Sequence, residues 1–492
     1  MSLTMPIQHT ISGLYLITDD SEANLLLARC EQALRGGVRL LQYRDKKRPF
    51  AKQCEIAGRL KQLCQQHGAL LIINDQIELA RIFQADGLHL GQKDTALAEA
   101  RAQLGPDCLI GVSTRTPEQA LAAQQQGADY IGVGSVYPTA TKQDAVHIGL
   151  NGLKAIRAAV ELPIVAIGGI SAAGLPAAID AGADAAAVIS AVMADPQPDC
   201  AARELSLLFR RRQPLPCGSV LTVAGSDSSG GAGIQADLKT ISLLGSYGSS
   251  VITALTAQNT LGVRGIHAAP VDFVRQQLRC VLDDIGADVI KTGMLFSGEI
   301  IRAVAEEIAS AATLNLVDPV MIAKGGASLL HRDAVDALLT ALLPKTYLLT
   351  PNVPEAEALT GLSIRSAEQL EQAACALQQM GARHVLVKGG HLPGAPTDLL
   401  RIGSHSQLLT GPRIDSRHTH GTGCTTASAL ATLLSQGWSL EEAARHTKFF
   451  IEEAIRSAPQ LGQGHGPINH FIAAQKLRDR LARFANREDI EE

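Results

Sequence analysis

The sequence predicts an α/β protein of two domains: a (β/α)8 barrel followed by a doubly wound α/β domain. Three observations lead there. At 492 residues the chain exceeds the size at which a single hydrophobic core stops growing. Hydrophobic residues make up 46% of it but aromatics only 3%. The apolar share is largely Ala, Leu, Val and Ile, which suits helices packed on buried parallel strands. Finally, short apolar runs ending in polar or glycine residues alternate with segments whose apolar residues recur at three- and four-residue spacing.

The first half carries eight such runs: "GLYLITD" at 13, "RLLQYRDK" at 39, "ALLIINDQ" at 69, "GLHLGQKD" at 87, "LIGVST" at 109, "YIGVGSVYPT" at 130, "PIVAIGGI" at 163 and "AAAVISA" at 185. Helical segments such as "NLLLARCEQALRGG" and "PEQALAAQQQGA", with glycine past the end, separate most of them. Eight alternating units give the TIM-barrel arrangement, whose active site lies at the carboxyl ends of the strands. "CAARELSLLFRRR" reads as the last barrel helix, and the barrel spans residues 1–212. The proline-rich "QPLPCGS" marks a linker at 213–218. From Ser219 the pattern restarts with "SVLTVAGSD", "SSVITALTAQN", "DVIKTGML", "LNLVDPVM", "YLLTPNVPE" and "HVLVKGGH", then ends in helices. Six runs do not close a barrel, so an open doubly wound sheet is expected over 219–480, with ligands at the strand carboxyl ends and a charged tail at 481–492.

Net charge is −4 with both signs interspersed, which offers no basic face to nucleic acid and no polybasic patch to a membrane. Nine cysteines without a Cys-x-x-Cys pair suggest neither a disulfide framework nor a zinc site, and fit a reducing cytoplasm. "MSLTMPIQHT" lacks the charged and apolar regions of an export signal, and the most apolar stretch, 173–194, is broken by Asp180 and Asp184. The expected partners are small molecules. Association as a homodimer is left open.

In "LLQYRDK" the residues Gln42, Arg44 and Lys46 alternate, so on a strand running into its loop they share one side and converge on an anion with more than one phosphate. Asn74 and Asp75 end the next run and Asp94 follows "HLGQK". Two carboxylates at neighbouring strand ends suit Mg2+, which takes a few carboxylates plus phosphate oxygens. Ser113 ends the fifth run, and Thr139, Thr141 and Lys142 lie on a long loop after the sixth. Glycines at 168 and 169 allow the close backbone approach of a monophosphate site after the seventh strand. Across residues 10–210 the motifs "QYRDK", "IINDQ", "HLGQKD", "GVSTRT", "VYPTATK" and "AIGGI" resemble thiamine-phosphate synthase. The resemblance implies that hydroxymethylpyrimidine diphosphate binds through Gln42, Arg44, Lys46, Asn74, Ser113 and Lys142, with Mg2+ on Asp75 and Asp94. It implies a thiazole phosphate on Thr139, Thr141, Gly169 and Ser190. Arg44 and Lys142 would be catalytic, stabilising the departing pyrophosphate.

In the second half "AGSDSSGGAGIQADLKT" is a glycine-rich turn between strand and helix, but no acidic residue stands where a dinucleotide site needs one, and no Walker sequence occurs. "TPNVPEAEALTG" puts Asn352 and Glu355 three apart after a strand end, where they reach Mg2+ or its waters together. Lys388 ends another strand, where a phosphate tail lies, and the amides of "THGTGC" at a helix start would stabilise a transferring phosphoryl group. With "VITALTAQNT", "KTGML", "DPVM" and "VKGGH", residues 218–475 resemble the hydroxymethylpyrimidine and phosphomethylpyrimidine kinases of the ribokinase-like superfamily. That resemblance implies ATP as co-substrate and a pyrimidine pocket using Asp237, Gln258, Met294 and Val320. It also implies phosphate handling by Lys388 and the Gly421, Thr422, Gly423 turn. Cys424 would be the general base, its thiol pKa lowered by the helix N-terminus. A pyridoxal kinase, or a sensor without turnover, are the rival readings.

Overall fold

The computed structural model of the protein describes residues 11–139, 146–321, 332–390, 392 and 394–485. Thr141 and Lys142 lie outside the described residues. The chain divides into two compact units, Met1–Phe209 and Arg210–Glu492.

The first unit is a closed barrel of parallel strands in sequence order: β1 (Gly13–Ile17), β2 (Leu40–Tyr43), β3 (Leu70–Asn74), β4 (Gly87–Leu90), β5 (Leu109–Thr114), β6 (Tyr130–Gly134), β7 (Ile164–Ile167) and β8 (Ala185–Val188). The eight apolar runs become these eight strands. Each strand buries both faces. One faces the barrel interior, where Tyr15, Leu40, Ile72, Tyr130 and Val165 pack together. The other meets the helices, as where Leu26, Leu27, Cys30 and Leu34 of helix Ala23–Arg35 go under. Each buried leucine of this kind contributes roughly 1.5–3 kcal/mol.

The second unit is a nine-stranded sheet, again counted among the described residues: β9 (Ser219–Asp227), β10 (Tyr247–Asn259), β11 (Gly262–Ala268), β12 (Val289–Thr292), β13 (Leu314–Val317), β14 (Leu348–Leu349), β15 (His384–Val387), β16 (Thr397–Ile402) and β17 (His405–Thr410). Their order is β11-β10-β9-β12-β13-β14-β15-β16-β17; the pairs from β10–β9 to β14–β15 are parallel, and the edge pairs β11–β10, β15–β16 and β16–β17 are antiparallel. The order runs one way from β9 to β10 and the other way through β12, which opens a crevice at the strand carboxyl ends. The edge strands β11, β16 and β17 have no counterpart among the six runs read from the sequence. They are half-exposed hairpin strands, and their faces mix Arg, His, Ser and Gln with the apolar residues.

The arginines of "LFRRR" also behave differently from a barrel helix. The last barrel helix stops at Leu208, and a short 3-10 turn follows over Phe209–Arg212. There Arg210 pairs with Asp288, and Arg211 bonds Glu442 at 3.1 and 3.2 Å beneath the Trp438 ring, all inside the second unit. No helix among the described residues is long and apolar enough to cross a membrane.

Candidate active sites

At the top of the barrel, the loop after β2 is shaped by Asp45. Its carboxylate accepts from the Tyr43 hydroxyl at 2.9 Å, the Arg48 guanidinium at 2.7 Å, and the amides of Lys47 and Arg48 at 3.0 Å each. Burial would raise this carboxyl, but the Arg48 bonds and the other donors outweigh it and hold it down to about 2. Arg48 is thereby occupied, while Arg44 and Lys46 stand on either side of Asp45. The Arg44 backbone N–H is tied to Thr18 Oγ1 at 3.0 Å, and Lys46 Nζ lies 3.0 Å from Asp75. Asp75 sits just past β3 with a left-handed backbone, φ +52°, and its N–H bonds the His89 carbonyl of β4. Asp94 closes the turn after β4, accepting the Gly91 N–H at 2.7 Å, and it acts electrostatically on His89. Asn74 ends β3 beside this pair.

Gln42 is not at the rim. It is 3% exposed and points into the barrel, where Nε2 donates to the Tyr15 hydroxyl at 2.8 Å. Tyr15 and Tyr130 share a hydroxyl contact at 3.1 Å, Tyr130 meets His89 Nδ1 at 3.1 Å, and His89 Nε2 meets Ser113 Oγ at 2.9 Å. Burial pushes His89 down to about 4, so the ring is neutral at physiological pH. The sequence singled out Gln42 and Ser113 but none of the three residues between them. The signal was an aromatic or histidine at an inward position of an otherwise aliphatic strand.

Across the opening, the loop after β6 lies on the turn after β7. The Tyr137 N–H bonds the Gly168 carbonyl at 2.9 Å, and a β-carbon on Gly169 would fall 2.3 Å from the Pro138 carbonyl oxygen. Gly169 also has φ +64°, so only glycine fits. This contact brings Gly169 beside the segment holding Thr139. Ser190 opens a four-residue helix directly after β8 and is exposed.

In the second unit the glycine turn after β9 is organised by Asp227. Its carboxylate accepts from Ser229, Gly231 and Ala232 amides and from His420 Nε2 at 2.9 Å. Burial would raise it, yet His420, Ser229 and the amides hold it down to about 2. Gln258 on β10 joins from the side, 3.3 Å from His420. Gly421 caps helix Thr422–Ser435 with φ +84°, and a β-carbon there would meet the Gly231 carbonyl oxygen at 1.8 Å. The two glycine turns therefore press backbone to backbone. No side chain caps the amides at the start of this helix.

Below the turn lies a buried ionic cluster. Lys388, after β15, donates to Asp318, after β13, at 2.9 Å. A β-carbon on Gly423 would lie 3.5 Å from Lys388 Nζ and 3.7 Å from Asp318 Oδ2, and that oxygen is buried with no hydrogen-bond partner among the described residues. Burial opposes the Lys388 charge, but Asp318 and Glu355 outweigh it and move its pKa up. Burial drives Glu355 up to about 7, against the pull of Lys388. The Met294 methyl packs where a Gly225 side chain would be, and Val320 follows Asp318.

Three expectations are corrected here. Asp237 is in the core, 0% exposed, rather than on a pocket wall. Its two oxygens are taken by Lys291 at 3.0 and 2.9 Å, Thr222 at 2.6 Å and Ser428 at 2.5 Å. Burial opposes the Lys291 charge as well, but Asp237 and then Cys424 hold the ammonium above its usual value. Cys424 does stand in the first helical turn, but burial pushes its thiol up to about 11 despite Lys291 and the Gly233 N–H. Desolvation outweighs the helix N-terminus. Finally, the Asn352–Glu355 spacing closes a capping box, with Asn352 Oδ1 accepting the Glu355 N–H at 2.9 Å and Glu355 accepting the Asn352 N–H at 2.8 Å. Lys291 and Asp318 were not singled out in the sequence. A lysine inside the apolar strand "DVIKTGML" was the available sign.

Comparison with known proteins agrees with this geometry. Residues 14–192 match the family model for thiamine monophosphate synthase and residues 227–469 the model for phosphomethylpyrimidine kinase. A thiamine biosynthesis bifunctional protein ThiED of Geobacter sulfurreducens is 53% identical over 96% of this chain and 96% of its own length. A thiamine biosynthesis multifunctional protein ThiED of Corynebacterium efficiens is 37% identical over 94% of this chain, which spans 65% of that protein. A hydroxymethylpyrimidine/phosphomethylpyrimidine kinase of Bacillus subtilis is 50% identical over 51% of this chain and 94% of its own. The chain belongs to the bifunctional thiamine biosynthesis family, in which a thiamine-phosphate synthase barrel is joined to a hydroxymethylpyrimidine and phosphomethylpyrimidine kinase.

Proposed function

We propose that the second unit phosphorylates 4-amino-5-hydroxymethyl-2-methylpyrimidine and then its monophosphate with ATP. The barrel then couples the resulting diphosphate to a thiazole phosphate, forming thiamine phosphate and releasing pyrophosphate. The observation that carries the reading is the convergence, at the carboxyl ends of each unit's strands, of cations, carboxylates and glycine turns fitted to phosphates. We assign the barrel domain to residues up to 209 and the kinase domain to 219–480, with the arginine turn at 210–212 on the kinase side of the boundary, and the setting to a reducing cytoplasm.

In the kinase unit, the amides of Thr422, Gly423 and Cys424 and the Lys388 ammonium face the transferring phosphoryl group and stabilise its charge. Gln258, Met294 and Val320 hold the pyrimidine. Cys424 aligns the substrate hydroxyl and takes its proton. Phosphoryl transfer runs through a loose transition state, so that proton leaves late and a weakly acidic thiol suffices. Asp318 Oδ2, without a hydrogen-bond partner among the described residues, and the neighbouring Glu355 would hold a Mg2+ ion, which would supply charge neutralisation at the phosphates. Asp237 acts through Lys291 rather than on the pyrimidine.

In the barrel, Arg44, Lys46 and Lys142 stabilise the diphosphate as its bond to the pyrimidinylmethyl carbon breaks. Asp75 and Asp94, two carboxylates with acceptor capacity left, would hold Mg2+, which would supply charge neutralisation to the diphosphate. The electron-rich ring supports a cation-like carbon that the thiazole nitrogen attacks, so no general base is needed. Gln42, Asn74 and Ser113 hold the pyrimidine, and Thr139, Thr141, Gly169 and Ser190 the thiazole phosphate.

The test is incubation of the purified chain with hydroxymethylpyrimidine, thiazole phosphate and Mg-ATP. The expected products are ADP, pyrophosphate and thiamine phosphate. Turnover of pyridoxal in place of the pyrimidine, with no thiamine phosphate formed, would overturn the assignment.

A further inference from the structure

The hydrogen-bonded path Gln42–Tyr15–Tyr130–His89–Ser113 runs through the barrel interior from β2 by way of β1, β6 and β4 to β5. The strands are shaped around it. A β-carbon on Gly111 would fall 2.0 Å from the Tyr130 ring, and one on Gly132 would fall 3.0 Å from His89. Glycine on β5 and β6 makes room for these two side chains.

Each interior member of the path has one proton to give. A tyrosine hydroxyl donates once, and a neutral imidazole carries one N–H and one acceptor nitrogen. A hydroxyl can also accept twice, but if both ends of the path donated, one buried interior proton would be left without a partner; every proton is used only when the four bonds all run in one direction or all in the other. With Gln42 Nε2 donating to Tyr15, as observed, Tyr15 donates to Tyr130, Tyr130 to His89 Nδ1, and His89 Nε2–H to Ser113 Oγ. Gln42 then presents its carbonyl oxygen to the site, and Ser113 retains a hydroxyl proton to donate. In the reverse direction Gln42 presents N–H and Ser113 has only lone pairs. We propose that Tyr15, Tyr130 and His89 are positioning residues that couple Gln42 and Ser113, making the barrel selective for a pyrimidine with an exocyclic amine over its oxo counterpart. The amine needs the Gln42 carbonyl. An oxo group needs the reverse direction, which costs the donor at Ser113. The proposal rests on the reading that Gln42 and Ser113 touch the pyrimidine.

The test compares the 4-amino and 4-oxo forms of the pyrimidinylmethyl diphosphate in the coupling reaction. The wild-type chain is expected to prefer the amino form strongly in kcat/KM. Tyr130→Phe keeps the ring packed and deletes the central oxygen; the preference should fall at least about tenfold, chiefly through KM for the amino form. Tyr15→Phe cuts the path one bond earlier and should behave alike, and the double variant should add little to either single one, as expected of one connected unit. Far-UV and near-UV circular dichroism establish that each variant is folded, and Tyr15→Phe decides where Tyr130→Phe is not. If the folded phenylalanine variants keep wild-type preference and KM while Gln42→Ala or Ser113→Ala impairs coupling, the relay is wrong and the site reading stands. If Gln42→Ala and Ser113→Ala both leave coupling unchanged, the site reading falls and takes the relay with it.

Discussion

Lys291 and Glu355 show how far burial reshapes single groups. Replacing Lys291 with Met leaves the wholly buried Asp237 carboxylate without its counter-ion, a loss of roughly 3–5 kcal/mol by the usual cost of breaking a buried pair. Chemical unfolding of the variant should show the second unit destabilised and phosphorylation lost, with barrel coupling intact. Glu355 carries a pH signature. Its folded pKa of about 7 lies above the ordinary 4.5, so the protonated form stabilises the fold. That stabilisation is complete below the unfolded value and is lost as pH climbs through 7. If the ionised form is what serves the phosphates, kinase rate rises over the same window, and Glu355→Gln, which keeps the capping box, flattens both profiles at a lower rate. Measured kcat and melting temperature against pH check this. Residue types and their strand-end positions were legible in the sequence for Arg44, Lys46, Asp75 and Lys388. What burial does to them was not. Cys424 looked like a lowered thiol and Asp237 like a pyrimidine-pocket residue because a one-dimensional pattern carries helix position but not desolvation.

Elements explain why the turns are glycine. Helix Thr422–Ser435 begins against the turn after β9, with Gly421 left-handed and its α-carbon facing the Gly231 carbonyl. Gly421→Ala strains the backbone by about 1–2 kcal/mol and drives its methyl into that carbonyl, so the helix start must shift. A displacement near 1 Å at the phosphate site costs about a hundredfold in rate, which a kinase assay at saturating substrate detects; unchanged kcat would mean the turn is not at the reacting phosphates. The parallel strands were all legible because buried strands read as continuous apolar runs between glycine punctuations. The antiparallel strands β11, β16 and β17 were not, since each mixes polar residues on an exposed face and resembles a loop. The interior path through Tyr15, Tyr130 and His89 was hidden for a related reason. Its members sit on three strands, and only barrel closure makes them neighbours.

At the scale of the whole molecule, each unit has its own core and its own glycine turns, and the proposed chemistry of each is assigned to side chains of that unit alone. Fusion fixes a one-to-one ratio between the enzyme that makes the pyrimidine diphosphate and the one that consumes it. The central claim is therefore that two independent catalysts act in sequence on one chain. Assaying Cys424→Ala and Asp94→Ala side by side, with and without supplied pyrimidine diphosphate, tests it most directly. Cys424→Ala should lose phosphorylation by about a hundredfold or more, the usual scale for a displaced proton acceptor, yet couple supplied diphosphate at the wild-type rate. Asp94→Ala should accumulate the diphosphate and fail to couple it. Loss of both activities in either folded variant would contradict the account.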